Sequence, residues 1–527
     1  MLSKKIFESA KDNANLYALK IGNERTTYRE LTTLSLRIAS ILVKMGAASE
    51  PIGLVGQREL SVYAGVLGIL YAGCPYVPIN SKSSPDKIIS VISATKIRFL
   101  VGSFKDLQAI ELLLLENKRS DLIANYICPF EIEGRSTKWV NSNECSNERI
   151  LCAPVSRGPS DIAYILFTSG SSGVPKGVKV THSNVCAYLD AVTKFWSLPK
   201  GYRASQFYDM SFDLSVSDLF ATWTNRGELC VLPECDLLAP FDFIRREQIN
   251  LWSSVPSVGI FMLKTGMLTE QSFPSLVVSW FCGEPFPKSL AVAWQQAAPN
   301  STVENHYGPT EATIALSRHV YTPEQNAYQF AHGTVPIGNA FSGMEIEIIG
   351  EDGIPVKRGE KGQIVFKGLQ ISQGYLNDEE KTNASFVRFN WDDSGDTWYK
   401  SGDLGFVDEY GWLECLGRSD NQIKFSGKRV ELGEIESHLS RYLTLKDIVI
   451  IPIRDANSIV TALVGFVTGG ISKDELSFIR KDSQRFMDKL YFPKQIIAIE
   501  RLPYAISGKV DRKKLASIAS ELLGPKS

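Results

Sequence analysis

A segment rich in glycine and hydroxyl side chains, FTSGSSGVPKG at residues 167–177, has the residue types best suited to bind an anion. Glycine adopts positive φ and lets the backbone approach a ligand closely. Consecutive N–H groups in such a loop form a concave anion site. The hydroxyls add donors, and Lys176 adds a point charge that suits phosphate. The segment therefore has the chemistry of a polyphosphate-binding loop.

Two interpretations of this segment remain open from its residues alone. Clusters of glycine, serine and proline are usually surface turns, whereas the lysine and the strand-like run DIAYIL before the segment favour a phosphate loop. The segment is not a Walker loop, which requires G-x-x-x-x-G-K-[ST]. Pro175 stands five residues after Gly170, and Gly177 follows Lys176 instead of preceding it.

The elements that position this loop are predicted to form an α/β fold. Short apolar runs alternate with longer segments in PIGLVG, SVYAGVLGILYAG and IRFLVGS, which indicates largely parallel sheets flanked by helices. The run TTYRELTTLSLRIASILVKMG has helical spacing of leucine and isoleucine and ends at a glycine. Residues from about 341 to 415 predict a small β-rich, barrel-like subdomain with Asp-Gly and Glu-Lys-Gly turns. We therefore expect a large N-terminal domain over 1–419 and a small, mobile α+β domain over 420–527.

Composition excludes several classes of function. The chain has 527 residues, which suggests two or more domains, with 44% hydrophobic and 22% charged residues. Lys plus Arg (57) nearly cancels Asp plus Glu (58), so charge gives no case for nucleic acid or an anionic membrane as partner. The cysteines and histidines are dispersed, without disulfide or metal-site spacing. We expect a soluble cytoplasmic protein, since no apolar run has the pattern of a signal peptide or a membrane span.

Seven motifs, in order along the chain, resemble those of the adenylate-forming enzymes: acyl-CoA synthetases, luciferases and the adenylation domains of peptide synthetases. They are TTYRELT, LYAGCPYVPIN, YILFTSGSSGVPKGVKVTHSNV, NHYGPTEATIA, YKSGDLG, GRSDNQIKFSGKRVELGEIE and GKVDRKKL. The resemblance covers essentially the whole chain. It implies a reaction in two halves, in which a carboxylate attacks the α-phosphorus of ATP and a thiol then attacks the acyl-adenylate.

The resemblance also implies where ATP binds. The loop would wrap the β- and γ-phosphates, Tyr307 would stack on adenine, Asn305 would meet the adenine amino edge, and Asp403 with Arg418 would hold the ribose. Singly, a buried tyrosine or a turn aspartate is more often structural; within the motif series we favour binding. The implied nucleotide set is Thr168, Ser169, Gly170, Ser171, Ser172, Gly173, Lys176, Gly283, Glu284, Pro285, Asn305, His306, Tyr307, Gly308, Thr310, Asp403, Arg418 and Lys509.

Catalysis would rest on groups that offset charge at phosphorus. By the resemblance, Thr310 donates to the α-phosphate, Lys176 stabilises the departing pyrophosphate, and Glu311 holds Mg²⁺, which needs few protein ligands. Alone, Glu311 would be a helix-start acid. Lys509 would enter from the small domain and bridge the substrate carboxylate and the α-phosphate.

The motif SFDLSVSDLF indicates an amino acid substrate. In the amino-acid-activating branch the residue matching Asp213 pairs with the substrate α-ammonium, and a buried acid of this kind selects amino acids over plain acids. The alternative is that Asp213 caps a helix. Within that branch the chain most closely resembles the free-standing D-alanine–carrier protein ligases, in the segments SFDLSV, FCGEPFP, YGPTEATIA, GRSDNQIK and GKVDRKKL. The implied pocket is Asp213, Leu214, Ser217, Ser253, Trp280, Cys282, His306, Ile314 and Ala315.

Three of these pocket residues depart from that subfamily. Trp280 would fill space and favour a small side chain, whereas Ser217 and His306 would suit a polar one. D-alanine, L-alanine, glycine, serine and proline therefore remain open.

The thiol is expected to come from a separate protein. The resemblance places a hinge at Asp420 and lets Gly427 line the tunnel for a phosphopantetheine arm. Too few residues follow Leu515 for a carrier domain, so we expect a separate phosphopantetheinylated carrier protein.

Two other functions stay open. A carboxylate–CoA ligase of the same superfamily is disfavoured by Asp213. A non-catalytic nucleotide-binding protein is disfavoured by the complete set of Lys176, Glu311, Asp403 and Lys509.

Overall fold

A computed structural model describes the chain except for residues 131–137, 142–149, 169–174, 238–239, 329, 331–332, 419–421, 444–446, 456–458, 484–486, 488, 504–509 and 524–527, and except for the side chains of Arg429 and Leu523. Its helices are α1 (Leu2–Asp12), α2 (Tyr28–Lys44), α3 (Leu60–Tyr71), α4 (Pro85–Thr95), α5 (Phe104–Glu116), α6 (His182–Thr193), α7 (Asp213–Thr224), α8 (Phe241–Arg246), α9 (Pro256–Lys264), α10 (Lys288–Ala297), α11 (Glu379–Ser385), α12 (Leu432–Ser440), α13 (Lys473–Ser483) and α14 (Arg512–Leu523).

Two large sheets carry most of the chain before residue 341. The nine-stranded sheet has the order β16-β15-β14-β13-β12-β10-β11-β1-β2, from β1 (Tyr17–Ile21), β2 (Glu24–Thr27), β10 (Arg203–Gln206), β11 (Glu228–Val231), β12 (Leu251–Ser254), β13 (Val278–Phe281), β14 (Thr302–Tyr307), β15 (Ser317–Tyr321) and β16 (Asn339–Ala340). Its central strands from β1 to β14 are parallel, and β2, β15 and β16 are antiparallel at the two edges.

The second large sheet has seven strands in the order β7-β6-β5-β3-β4-β8-β9. All of its pairings are parallel except the last, between β8 and β9. The strands are β3 (Ile52–Val55), β4 (Tyr76–Ile79), β5 (Phe99–Gly102), β6 (Asn125–Cys128), β7 (Trp139–Asn141), β8 (Ile162–Thr168) and β9 (Lys176–Thr181).

The main hydrophobic core joins these sheets through helices that lie on them. Helix α3 buries all of its residues except Leu60, which is half-buried, and this explains why its sequence is apolar on nearly every side. Helix α2 begins with a capping box, because the Thr27 hydroxyl accepts from the Glu30 N–H and the Glu30 carboxylate accepts from the Thr27 N–H. The helix ends before Gly46, whose φ is +71°, as the sequence predicts. The predicted α/β class with mixed, largely parallel sheets is confirmed.

The rest of the chain folds into smaller sheets. A five-stranded antiparallel sheet contains β17 (Met344–Ile349), β18 (Gly362–Gly368), β19 (Phe386–Val387), β20 (Trp398–Val407) and β21 (Leu413–Arg418). The hairpin of β22 (Gln422–Phe425) and β23 (Lys428–Glu431) follows, and then a three-stranded sheet of β24 (Ile448–Arg454), β25 (Val460–Thr468) and β26 (Gln495–Ile499). The domain boundary at 419–420 and the Asp420 hinge fall in residues 419–421, outside the described part, and stay predictions.

No helix among the described residues has the length and apolar composition needed to cross a membrane.

Candidate active site

A cavity of about 690 Å³ lies at the carboxyl ends of the parallel strands of both large sheets. This edge is where ligands bind in open α/β sheets. Strand β4 delivers Asn80, β8 delivers Thr168, β13 is followed by Cys282, and β14 by Gly308. The hairpin β22–β23 and helices α4 and α12 complete the wall.

Glycine at position 308 is needed because the chain turns tightly after β14. A Cβ atom there would lie 2.6 Å from the Ala315 Cα atom. The turn directs Pro309 and Thr310 into the cavity wall, next to the start of helix α7.

Asp213, the first residue of α7, faces this cavity. Burial raises the pKa of its carboxyl to about 6, although the Thr310 hydroxyl, the Leu214 N–H and the charge of Lys424 all oppose the rise. The desolvation of this carboxylate is therefore offset only in part. A substrate ammonium placed beside Asp213 would supply the missing counter-charge.

The structure brings four of the nine predicted substrate residues to the cavity, and the others lie behind it. Asp213, Leu214, Cys282 and Ile314 line the cavity. The five that are buried but absent from its lining are Ser217, Ser253, Trp280, His306 and Ala315.

Aromatic rings form the layer behind Cys282. Trp280 stacks on His306 with ring centroids 5.0 Å apart and an interplanar angle of 28°. Trp196, which the sequence analysis missed, lies 6.4 Å from the Trp280 ring and 6.5 Å from the His306 ring. No sequence motif distinguished Trp196, because its role depends on packing across the fold.

Some polar atoms in this layer have partners within the described part of the protein, whereas His306 Nδ1 and Trp196 Nε1 are buried there without one. His306 Nε2 lies 2.8 Å from a Glu304 carboxylate oxygen, and burial lowers the pKa of the imidazole. The Ser217 hydroxyl lies 2.8 Å from the Tyr188 hydroxyl, and the Ser253 hydroxyl donates to Asp218 at 2.6 Å. Trp280, Ser217 and His306 are all buried and absent from the cavity lining, so the space-filling role of Trp280 and the hydrogen-bonding alternative for Ser217 and His306 both stay predictions.

The predicted ribose residues Asp403 and Arg418 form one hydrogen-bonded group with Tyr307, which is predicted to stack on adenine. The Tyr307 hydroxyl donates to Asp403 Oδ2 at 2.5 Å, and Arg418 Nη1 donates to Asp403 Oδ1 at 3.1 Å. The pairing of β20 with β21 sets Asp403 directly opposite Arg418. Asp403 and Arg418 line the cavity, whereas Tyr307 is buried beside them.

Asn305, predicted to meet adenine, and the segment 283–285, predicted to bind the nucleotide, are only partly in the cavity wall. Asn305 donates its amide N–H groups to the Val335 and Pro336 carbonyls at 2.8 and 2.9 Å, which turns its carbonyl oxygen the other way. That oxygen is an acceptor suited to an amino group. Of the predicted segment 283–285, Gly283 lines the cavity, the Glu284 side chain is buried away from it, and Pro285 is exposed.

On the phosphate side, Thr168 and Pro175 line the cavity. The residues between them that the sequence assigns to phosphate lie outside the described residues: Ser169, Gly170, Ser171, Ser172 and Gly173.

Lys176 and Glu311 both approach Tyr375, a residue that the sequence analysis did not single out. The Tyr375 hydroxyl donates to Glu311 Oε1 at 2.8 Å, and Lys176 Nζ lies 5.5 Å from the Tyr375 ring centroid. Glu311 itself is buried and does not line the cavity. Tyr375 thereby connects the two residues predicted to act on the phosphates and the metal.

The hairpin β22–β23 reaches the same cavity from the C-terminal part of the chain. Lys424, Gly427 and Lys428 line it. Lys424 Nζ lies 5.8 Å from the Tyr307 ring centroid, and Lys428 Nζ lies 5.5 Å from the Phe212 ring centroid. Lys509 lies outside the described residues.

Comparison with known proteins agrees with this fold. Residues 6–376 match the AMP-binding enzyme family. The chain therefore belongs to that family, and it is an AMP-forming ligase.

Individual relatives show which kinds of AMP-forming ligase the chain resembles. The chain is 30% identical to the D-alanine--D-alanyl carrier protein ligase of Bacillus licheniformis, over 93% of this chain and 94% of that protein. It resembles the Vibrio cholerae adenylation domain AlmE in complex with glycyl-adenosine-5′-phosphate, with a TM-score of 0.86, 29% identity, and coverage of 98% and 97%. The o-succinylbenzoate CoA synthetase of Bacillus subtilis shares the fold, with a TM-score of 0.79, 20% identity, and coverage of 97% of both chains.

Proposed function

We propose that this enzyme activates a small amino acid as an aminoacyl-adenylate and then transfers the aminoacyl group to the phosphopantetheine thiol of a separate carrier protein. The observation that carries this proposal is Asp213, a desolvated carboxylate at the cavity wall beside Thr310. The D-alanine--D-alanyl carrier protein ligase at 30% identity and the glycyl-adenylate-bound AlmE at 29% identity support it.

In the first half-reaction a substrate carboxylate oxygen bonds to the α-phosphorus of ATP while the bond to the pyrophosphate oxygen breaks. Asp213 would fix the amino acid by its ammonium group. Asp403 and Arg418 would fix the nucleotide at the other end of the cavity. Alignment of this kind removes the entropy cost of bringing two reactants together.

Mg²⁺ is the metal that the single carboxylate of Glu311 would suit. Among the described residues no group of three or more His, Cys, Asp or Glu side chains surrounds a common position. A Mg²⁺ ion would therefore take phosphate and water oxygens in addition to Glu311, as its coordination chemistry favours. When bound, the ion would neutralise charge on the phosphates.

In the second half-reaction the thiol sulfur bonds to the acyl carbon, the bond from that carbon to the AMP oxygen breaks, AMP leaves, and the thiol proton passes to solvent. Gly427 lies at the cavity wall, where an incoming arm would pass. Its φ is +74°, and a Cβ atom there would lie 2.6 Å from Val255 Cγ1.

The substrate side chain is proposed to be small. The rings of Trp280, His306 and Trp196 pack on one another in the core around strand β13, which ends just before Cys282, and this packing would limit the room for a long side chain. Glycine and alanine fit this restriction best.

The test is ATP–pyrophosphate exchange with each amino acid and with fatty and aryl acids. We expect Mg²⁺-dependent exchange with glycine or alanine, and a loss of about a hundredfold or more in Asp213→Asn, because a bound ammonium would lose its counter-charge. Asp106→Asn is the control, since the half-buried Asp106 carboxylate accepts hydrogen bonds from the Ser81 and Ser103 hydroxyls near the start of helix α5, and none of the three residues lines the cavity. Exchange with plain acids and none with amino acids would favour a CoA ligase instead.

A further inference from the structure

We infer that Glu284 is a positioning residue for the thiol-transfer half-reaction: its buried carboxylate fastens the turn of the β22–β23 hairpin to the wall of the substrate cavity. This inference rests on the proposed function. It concerns the side chain of a residue whose motif was expected to contact the nucleotide.

Each carboxylate oxygen of Glu284 binds a different part of the chain. Oε1 accepts the Gly427 N–H at 2.8 Å, and Oε2 accepts the Ser257 N–H at 2.8 Å. Ser257 is the second residue of helix α9, so the carboxylate occupies the helix N-terminus, where a negative charge is favoured. Gly427 lies 143 residues further along the chain. One side chain therefore joins the first turn of α9 to the tip of the hairpin.

The hydrogen bonds of the Glu284 carboxylate are sheltered from water, so they can hold the hairpin turn in place. Glu284 is 9% exposed, and charge-assisted hydrogen bonds sheltered from water are stronger than neutral ones. Burial raises the pKa of its carboxyl, while the Ser257 and Gly427 N–H groups oppose the rise. The Ser257 hydroxyl and the charge of Lys424 also favour the carboxylate form. Movement of the hairpin away from the cavity would remove one of the two backbone donors.

Contacts on both sides of the hairpin tip fix the same position. Lys424 meets the Tyr307 ring, and Lys428 meets the Phe212 ring. The tip itself packs on Val255, the residue just before helix α9. Cation–π contacts at such distances are weak singly, whereas the Glu284 bond fixes the backbone of the turn. The hairpin position matters for transfer, since the arm would pass beside Gly427.

The test compares wild type, Glu284→Gln and Glu284→Asp in two assays. The first is ATP–pyrophosphate exchange with glycine or D-alanine, and the second is single-turnover transfer from the enzyme-bound adenylate to free phosphopantetheine. Glutamine presents an N–H to one of the two backbone donors, and aspartate is shorter by one methylene group, so each variant loses a bond. We expect the ratio of transfer rate to exchange rate to fall at least tenfold in both variants.

Asp218→Asn is the matched control. The Asp218 carboxylate is also buried and accepts a backbone N–H, from Phe207 at 3.0 Å, and it does not touch the hairpin. We expect this variant to leave the ratio of the two rates unchanged. Equal losses of both rates in the Glu284 variants, or no loss, would overturn the inference.

Hydrogen exchange of the Gly427 amide gives an independent readout that needs no catalysis. We expect protection in wild type and in Asp218→Asn, and faster exchange in Glu284→Gln. Unchanged protection would refute the fastening role. A wild type inactive in both assays would refute the proposed function, whereas the hydrogen-exchange result would still decide the contact.

Discussion

At the scale of single residues, we propose that Asp213 and Trp280 divide the selection of substrate between charge and size. Asp213 lines the cavity as a carboxylate whose desolvation is partly uncompensated. Trp280 is fully buried behind Cys282 and stacks on His306. Asp213 is expected to select a substrate with an ammonium group, and Trp280 is expected to limit the size of the substrate side chain.

The raised pKa of Asp213 predicts a pH dependence of amino acid binding. In the free enzyme the carboxyl is protonated below about pH 6 and ionised above it. Only the ionised form holds an ammonium, so kcat/KM for the amino acid should fall about tenfold per pH unit below pH 6. Exchange assays between pH 5 and 8 measure this, with the KM for ATP as the internal reference. A flat profile down to pH 5 would contradict it.

Opening the aromatic layer should widen the substrate range. In Trp280→Leu we expect kcat/KM for leucine to rise relative to glycine by at least tenfold, since one methylene group alone is worth about 1–3 kcal/mol in a pocket. Trp294→Leu is the control, because Trp294 is equally buried, in helix α10 and away from the cavity. It should lower thermal stability to a similar extent and leave the selectivity as it is. The same change in selectivity in both variants would contradict the role of Trp280.

At the scale of elements, strand ends and one hairpin bring the functional groups together. Strands β13 and β14 end side by side in parallel register, so the segments that follow them meet at one edge of the sheet. The hairpin β22–β23 approaches that edge from the C-terminal part of the chain. Its tip admits only glycine without displacement of Val255.

Gly427→Ala is therefore predicted to impair thiol transfer more than adenylation. The new Cβ atom would lie 2.6 Å from Val255 Cγ1, at a φ of +74° that costs a non-glycine residue about 1–2 kcal/mol. We expect a fall of at least tenfold in the ratio of transfer to exchange, partly restored when Val255→Ala is added. Gly433→Ala in α12, whose Cβ atom would meet nothing within 4 Å, should behave as wild type. If the ratio of transfer to exchange in the double variant Gly427→Ala, Val255→Ala is no higher than in Gly427→Ala alone, the steric explanation is ruled out.

At the scale of the whole molecule, two segments are predicted to serve the two half-reactions in turn. The hairpin with Gly427 lies at the cavity in this structure. Lys509, expected to act in adenylation, belongs to a different segment of the same C-terminal region. The resemblance implies that rotation about Asp420 exchanges the two segments at the cavity. The mobility of the small domain and the cytoplasmic location of the enzyme stay predictions.

Lys509→Ala is expected nearly to abolish exchange while largely sparing transfer from supplied adenylate. The lysine would stabilise charge that grows at the α-phosphorus, which is absent from the thiol step. Lys514→Ala is the control, because Lys514 is exposed on α14 and should affect neither step. Equal loss of both steps in Lys509→Ala would refute the exchange of segments.

Local pattern in the sequence determined the α/β class, the β-rich region before residue 419 and the family. Helix α2 with its capping box, the buried helix α3 and the strand before the phosphate loop all follow from residues close together in the chain, because capping and periodicity are short-range effects. The motif series also predicted that Asp213, Asp403 and Gly427 would reach one cavity, which they do.

The tertiary structure alone decided the contacts between distant segments. The Trp196 ring behind Trp280, the Tyr375 hydroxyl on Glu311 and the Glu284 carboxylate on the Gly427 N–H each join parts of the chain that no local pattern connects. Their partners are set by which strand ends and helices the topology makes neighbours. A residue type therefore indicates that a side chain can fill space or accept a hydrogen bond, and only packing specifies against what.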